Sequence, residues 1–242
     1  MGYVGHGSVP CPVEFVIKLN GGALVELSVM LSILSKGMLL SVEIFVLTLL
    51  FSIPLGFVVT FGRMSKNFII RNLVKIYISI MRGTPLMLQL MVVYFGPNLI
   101  FGIKISNEYR FTAVIIGFVI NYAAYFAEIY RSGIESIPVG QYEAAKVLGY
   151  NKFQTFMKII LPQVIKRILP AVTNEVITLI KDTSLAYVIS IPEMFSQAKA
   201  LASSQNTLVP YAIAGVFYYI FNYIVAYIME WIENKFSYYK IS

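Results

Sequence analysis

Residues 141–164, QYEAAKVLGYNKFQTFMKIILPQV, are too polar to cross a lipid bilayer and too apolar to be a passive linker. They lie between two long apolar segments of the chain. Pro138 suits the first turn of a helix that Gly149 can end in a left-handed conformation. Asn151 can cap a second helix, with Gln154 completing a variant of the capping box, and Pro162 should bend or close that helix. The segment therefore predicts a helix-turn-helix over residues 138–162.

The composition places most of the chain in lipid. The 242 residues are 58% hydrophobic and 13% charged, whereas soluble domains carry about 25% charged residues. The net charge of +7 comes largely from basic residues at the ends of apolar segments, an arrangement typical of membrane orientation rather than nucleic-acid binding. A single Cys11 and a single His6 exclude an internal disulfide and weaken metal-site and general-base schemes. We therefore predict no catalytic residue, metal site or cofactor on this chain.

Five apolar segments are long enough to be membrane spans. A spanning helix needs about 20 mostly apolar residues. The segments cover residues 38–61, about 84–101, 111–129, about 169–191 and 209–232. The sequence thus predicts an all-α integral membrane protein with five transmembrane helices in a domain over residues 33–240. Residues 1–32 form an N-terminal extension whose role the sequence does not indicate.

The stretch before the second span allows two interpretations. Lys66, Arg71, Lys75 and Arg82 fall close to one helical face, and the intervening residues are apolar. This pattern favours a helix in the membrane interface that breaks at residues 83–85. The alternative is one long tilted span that begins near residue 68.

The basic residues also predict the orientation. Cytoplasmic loops carry an excess of Lys and Arg, and most basic residues lie on the side of the loop after the third span. That loop is therefore expected to be cytoplasmic. Five spans then place the N-terminus outside and the C-terminus in the cytoplasm. Trp231, Tyr238 and Tyr239 fit an aromatic belt at the inner interface.

From the residues alone, the helix-turn-helix could be a plain solvated connector or a knob that fits a groove in a partner. Its spacing resembles a known pattern: EAA at 143–145, then Gly149, Ile159 and Leu161–Pro162 match the EAA loop of bacterial ABC importer permeases. The segments RGTPLMLQL (82–90), AYFAEIYRSGIESIPVGQYEAAKVLG (124–149) and LIKDTSLAYVIS (179–190) resemble the polar amino acid branch of that family.

The resemblance implies a permease subunit in a bacterial inner membrane. It implies a separate ATP-binding subunit that carries Mg-ATP, a second permease subunit as homodimer or heterodimer, and an extracytoplasmic solute-binding protein. The chain has no G-x-x-x-x-G-K-[ST] stretch, so ATP energy is expected from another chain. The residues that the resemblance assigns to ATPase coupling are Gln141, Glu143, Ala144, Ala145, Gly149, Leu161 and Pro162.

Other functions remain open at this point. A permease of the same family could carry another small solute, such as an opine or a sulfur amino acid. An ion-coupled carrier or a channel is a second class, although the chain shows no internal repeat of the kind common in secondary transporters. An intramembrane enzyme is disfavoured because no G-x-S-x-G motif is present.

Polar residues within the spans are candidates for substrate binding. An ionisable side chain at the centre of a bilayer costs about 2.5 to 3.5 kcal/mol on insertion scales, so it usually has a partner or a task. Counting along helices places Asp182 and Asn121 near the midplane, while Glu128 and Glu175 lie nearer the cytoplasm. If Asp182 and Asn121 face one cavity, they could hold the two ends of an amino acid. The predicted substrate-binding residues are Asp182, Asn121, Thr178, Thr84, Gln89 and Lys181, with structural ion pairs to other spans as the alternative for Asp182 and Lys181.

Overall fold

The computed structural model describes residues 27–104 and 106–236. The α-helices in chain order are α1 Leu27–Arg63, α2 Phe68–Gly83, α3 Leu86–Phe101, α4 Tyr109–Glu135, α5 Val139–Val147, α6 Lys152–Thr155, α7 Leu161–Asp182, α8 Met194–Gln205 and α9 Val209–Phe236. A π-helical segment, Phe156–Ile160, joins α6 to α7, and a 3₁₀-helix, Thr183–Ile189, follows α7. α1 begins inside the predicted extension. The rest of that extension, Tyr238 and Tyr239 lie outside the described residues.

Helix α4 lies at the centre of the bundle. It packs against α1, α2, α3 and α7. Its large side chains Phe118, Tyr122 and Phe126 are almost completely buried. The hydroxyl of Thr60 on α1 donates to the carbonyl of Ala127 on α4 at 3.1 Å. Apolar burial and this interhelical bond together fix α1 on α4, and the other helices are arranged around that pair.

Two glycines let neighbouring helices approach α4 closely. A Cβ atom on Gly117 would lie 2.7 Å from Cδ2 of Leu90 on α3. A Cβ atom on Gly133 would lie 2.1 Å from Cγ2 of Ile168 on α7. Small residues at such contacts are typical of helix packing in membranes, because van der Waals contact replaces the hydrophobic effect there. The separation between α4 and α7 therefore depends on Gly133.

The segment with two interpretations is broken in the structure. The chain bends by 112° between α2 and α3. Thr84, between them, has an extended backbone (φ −123°, ψ 149°), as expected for a residue that precedes a proline. The predicted break at residues 83–85 is confirmed, so α2 and α3 do not form one continuous helix from residue 68.

By length and composition, three helices of the described chain could cross a membrane, namely α1, α4 and α9. The bent α2–α3 pair would be a fourth. The fourth predicted span, a single helix over residues 169–191, is wrong in its extent because α7 ends at Asp182. The hydroxyls of Thr183 and Ser184 donate to the carbonyls of Ile180 and Lys181, each at 2.7 Å. These bonds satisfy carbonyls of the last α-helical turn, and the chain continues as a 3₁₀-helix.

Helix α8 is attached to the bundle by a buried carboxylate. Glu193 is fully buried and accepts hydrogen bonds from the backbone N–H groups of Phe195 and Ser196 at 2.7 Å each. The hydroxyl of Tyr218 on α9 donates to the same carboxylate at 3.3 Å. An acidic side chain at a helix N-terminus satisfies free N–H groups and complements the helix dipole. Glu193 thus ties α8 to α9.

We expect Gly133→Ala to destabilise the protein by about 1–3 kcal/mol, because the added methyl group overpacks the α4–α7 contact. The matched control is Gly215→Ala on α9, where an added Cβ meets no atom within 4 Å. That change should be neutral or stabilising, since alanine favours helix over glycine. The measurement is the thermal unfolding midpoint of both variants in detergent. Equal midpoints for Gly133→Ala and the wild type would contradict the close packing.

Candidate functional site

The residues predicted to couple to an ATPase lie on an exposed loop. Glu143 and Ala144 on α5 are exposed, whereas Ala145 is only 1% exposed and packs within the loop. Gly149 has a φ of +79°, a left-handed conformation that glycine adopts without steric cost. The amide of Gln163 donates to the side chain of Gln141 at 3.3 Å and links α5 to α7. The two alanines therefore face different surroundings, and only Ala144 is available to a partner.

The helix after the turn begins as predicted and ends differently. Asn151 and Gln154 form the capping box, with bonds of 2.9 Å and 3.0 Å. Pro162 does not close this helix near Leu161, because the chain continues through the π-helical segment into α7. The ring of Pro162 would clash with a carbonyl four residues earlier in a regular α-helix. The wider π turn just before it can accommodate the ring.

Apolar side chains cover the outer surface of this loop. Four of them, on α5, the turn and α6, are between 70% and 87% exposed: Val139, Val147, Leu148 and Phe153. Contiguous exposed apolar patches are typical of protein or membrane interaction sites. We call this surface, together with Glu143 and Ala144, the loop surface.

Three of the predicted substrate-binding residues form one hydrogen-bonded network at the α2–α3 break. The amide nitrogen of Gln89 donates to the hydroxyl of Thr84 at 2.8 Å and to the carbonyl of Met81 at 2.9 Å. The amide nitrogen of Asn121 on α4 donates to the side-chain oxygen of Gln89 at 2.9 Å and to the carbonyl of Met81 at 3.1 Å. The side-chain amides of Gln89 and Asn121 thus hold the bend between α2 and α3, which we call the elbow.

The other three predicted residues lie near the end of α7. The hydroxyl of Tyr122 on α4 donates to Oδ2 of Asp182 at 2.7 Å. Thr178 and Lys181 are exposed, and the hydroxyl of Thr178 donates to the carbonyl of Asn174. Asp182 and Asn121 are thus held by different partners, Tyr122 and the α2–α3 elbow.

A polar cavity of about 570 Å³ lies between α2, α4 and α7. The charged and aromatic side chains in its wall are Arg82, Tyr125, Glu128, Arg131, Arg167 and Glu175. None of the six predicted substrate-binding residues is among the described residues that line it. Arg82 and Tyr125 were missed because the sequence does not show how α2, which ends at the break, is directed relative to α4. The charges suit the binding of a polar solute.

Two of these charged residues, Glu128 and Arg131, are paired within the protein. Glu128 accepts from Arg131 at 2.6 Å and lies 3.6 Å from Arg63 on α1. Arg131 also contacts Glu135 at 2.5 Å. A charged side chain within a membrane span is costly unless it is paired. The Glu128 network therefore anchors α1 to α4 at the wall of the cavity.

Known proteins resemble the chain in sequence and in fold. The arginine transport system permease protein ArtQ of Bacillus subtilis (strain 168) is 36% identical over 201 residues, which cover 83% of this chain and 90% of the relative. The octopine transport system permease protein OccM of Rhizobium radiobacter is 37% identical over 193 residues, or 76% and 79% of the two chains. A crystal structure of an amino acid ABC transporter with histidines matches with a TM-score of 0.77 and 30% identity, covering 88% of this chain and 100% of the other.

The family model described as binding-protein-dependent transport system inner membrane component matches residues 52–238. The match includes the α2–α3 elbow, the polar cavity and the exposed loop. The chain therefore belongs to the family of binding-protein-dependent transport system inner membrane components.

Proposed function

We propose that the chain is the permease subunit of an ATP-binding cassette importer for polar amino acids. The observation that carries this proposal is the exposed loop surface on α5 and α6, beside a bundle whose interior contains charged side chains. The names of an arginine transport permease and of an amino acid transporter crystallised with histidines support the substrate class.

The proposed chain crosses the membrane five times, through α1, the bent α2–α3 pair, α4, α7 and α9. Charged residues on α7 are compatible with a span because Glu175 and Arg167 line the cavity rather than a lipid-facing surface. The N-terminus lies outside and the C-terminus in the cytoplasm, in the inner membrane of a bacterium. The basic residues near the loop support this orientation.

The proposed partner at the loop surface is a separate ATP-binding subunit that carries Mg-ATP. The helix-turn-helix over residues 138–162 acts as the coupling loop. Four residues meet the ATPase or shape the contact, namely Gln141, Glu143, Ala144 and Gly149. Ala145 supports the loop from within. The pair Leu161–Pro162 connects the loop to α7. A second permease subunit and an extracytoplasmic solute-binding protein complete the importer.

Asp182 is the proposed ligand for the ammonium group or a cationic side chain of the substrate, with Thr178 and Lys181 beside it on α7. A charged ligand must find a partner when it leaves water. Thr84, Gln89 and Asn121 contribute through the elbow that they hold.

The direct test of the proposed function is uptake of L-arginine and L-histidine by membrane vesicles that contain the complete transporter. Uptake should require ATP, and uptake that follows an ion gradient without ATP would favour an ion-coupled carrier.

We expect Glu143→Lys to leave membrane insertion intact and to abolish ATP-dependent uptake. The change reverses a charge on the loop surface and alters no side chain of the bundle interior. The measurements are co-purification with the ATP-binding subunit and amino acid uptake into vesicles.

The matched control is Glu108→Lys, the same charge reversal at an exposed position just before α4, at the opposite end of that helix from the loop. It should leave co-purification with the ATP-binding subunit unchanged. Normal uptake and normal co-purification for Glu143→Lys would identify the loop as a passive connector.

We expect Asp182→Asn to assemble normally and to weaken the substrate affinity about tenfold to a hundredfold. A hydrogen bond to a charged group contributes about 1.5–3 kcal/mol, and 1.4 kcal/mol corresponds to a factor of ten in affinity. Asparagine keeps the volume and can still accept a bond from Tyr122. The measurements are the yield of the complex and the concentration dependence of uptake.

Tyr122→Phe separates the role of Asp182 as a substrate ligand from its role as a hydrogen-bond partner of Tyr122. The variant removes the hydroxyl that donates to Asp182 and leaves the carboxylate in place. A smaller loss of affinity in Tyr122→Phe than in Asp182→Asn is expected. If the two variants lose affinity equally, or if Asp182→Asn fails to assemble, Asp182 acts as a structural partner instead of a ligand.

A further inference from the structure

Helix α2 carries an apolar stripe that is not part of the packed core. Four aliphatic side chains are between 51% and 66% exposed: Ile69, Leu73, Ile76 and Ile80. Their spacing of four, three and four residues places them on one face of the helix. A different face packs on α4, because Ile78 is buried there and the hydroxyl of Tyr77 donates to the carbonyl of Ile120. We call the exposed set the aliphatic stripe.

A further side of α2 is basic. Arg71 and Lys75 are exposed and lie about one helical turn apart, and Lys66 is exposed just before the helix. None of the three is in an ion pair within the described part of the chain, and α2 itself contains no acidic residue. At about 3.6 residues per turn, Arg71 and Lys75 point nearly opposite to the aliphatic stripe. The exposed surface of α2 is therefore amphipathic.

The basic side of α2 borders a cavity of about 490 Å³ between α1, α2 and α4. The charged residues in its wall are Arg63, Lys75, Arg82 and Glu128. The carboxylate of Glu128 lies 2.6 Å from Arg131 and 3.6 Å from Arg63, so its charge is already compensated. Lys75 and Arg82 are in no ion pair with a described residue. The cavity therefore has an excess of positive charge, which is complementary to a phosphate group.

The two exposed sides of α2 match the two ends of a phospholipid. An amphipathic helix with basic residues lies in the membrane interface, and its binding strength increases with buried apolar area and with attraction to anionic lipids. Basic clusters beside spans, and basic pockets between them, recognise anionic headgroups. Because the chain bends by 112° at the elbow, α2 crosses the direction of α3 and can lie along the interface.

We propose that α2 binds an anionic phospholipid, with the phosphate at the basic side and the acyl chains along the aliphatic stripe. Lys66, Arg71 and Lys75 contact the headgroup. The lipid belongs to the leaflet on the side of the exposed loop, because Arg63, in the last turn of α1, pairs with the end of α4 that leads into that loop. The three basic residues are neither proposed substrate ligands nor part of the loop surface, so this binding site goes beyond the proposed function.

The test measures lipid binding to the purified full-length chain in detergent micelles by native mass spectrometry. The probes are dioleoylphosphatidylglycerol, which is anionic, and dioleoylphosphatidylcholine, which has the same acyl chains and no net charge. The wild type should bind phosphatidylglycerol more tightly. The double variant Arg71→Gln, Lys75→Gln should bind phosphatidylglycerol about 30-fold more weakly, because each basic residue near the surface contributes about fivefold. Its binding of phosphatidylcholine should not change.

Two control variants separate the α2 site from the net charge of the chain. Arg71→Lys, Lys75→Arg keeps both charges and should bind phosphatidylglycerol as the wild type does. Lys152→Gln, Lys235→Gln removes two exposed basic residues, on α6 and in the last turn of α9, and should also bind as the wild type does. Equal weakening in this control and in Arg71→Gln, Lys75→Gln would indicate attraction to overall charge and overturn the inference.

The acyl-chain contact has its own variant. Ile69→Ala, Ile76→Ala shortens two exposed side chains of the aliphatic stripe and should weaken both lipids to the same extent. Unchanged binding of both lipids in this variant would contradict the contact.

Other occupants of this side of α2 give different results. Inorganic phosphate at the concentration of the lipid should not displace phosphatidylglycerol, and displacement would identify a site for a small anion instead. The same spectra report the oligomeric state. If Arg71→Gln, Lys75→Gln loses a dimer and keeps its lipid binding, a second copy of the chain covers α2, and the inference is overturned. A wild type that binds both lipids equally would overturn it as well.

Discussion

The bond between Gln89 and Asn121 closes the break between α2 and α3, and the arrangement of the charged interior depends on it. A chain that breaks within a membrane exposes carbonyl groups that lipid cannot satisfy. Gln89 and Asn121 both donate to the carbonyl of Met81, the residue next to the break. The elbow, where the chain bends by 112° between α2 and α3, is thereby fixed to α4. That bend places the last turn of α2 at the cavity, which Arg82 lines together with Tyr125.

Charged side chains in the interior are accommodated in two ways. Glu128 is neutralised by basic residues from two helices, Arg63 on α1 and Arg131 on α4, and helps to hold these helices together. Arg82 and Glu175 are in no ion pair with a described residue and line the cavity, where water or a ligand can solvate them. Paired charges on α4 and charges outside these ion pairs on α2 and α7 therefore line the same cavity. The distinction follows from whether a counter-charge is within contact distance.

The loop after α4 combines a rigid frame with an uncovered apolar surface. The left-handed Gly149 and the capping box at Asn151 fix the turn without help from the bundle. The apolar side chains on its outer side have no cover among the described residues. Because α7 continues directly from α6 through the π-helical segment, a displacement of the loop would be transmitted along α7 to Glu175 and Asp182. The same helix connects the loop surface to the interior.

The sequence by itself determined the helical class, the break at residues 83–85 and the cap at Asn151. Each of these follows from local chemistry, namely apolar length, the restriction that Pro85 places on Thr84, and a side chain that reaches a backbone amide three residues away. The tertiary structure alone decided the extent of the fourth predicted span and the partners of Asn121 and Asp182. It also decided which charges face the cavity. Those features depend on the angle between α2 and α3 and on the close contact at Gly133, where atoms far apart in sequence meet, and no local pattern encodes the direction of such a contact.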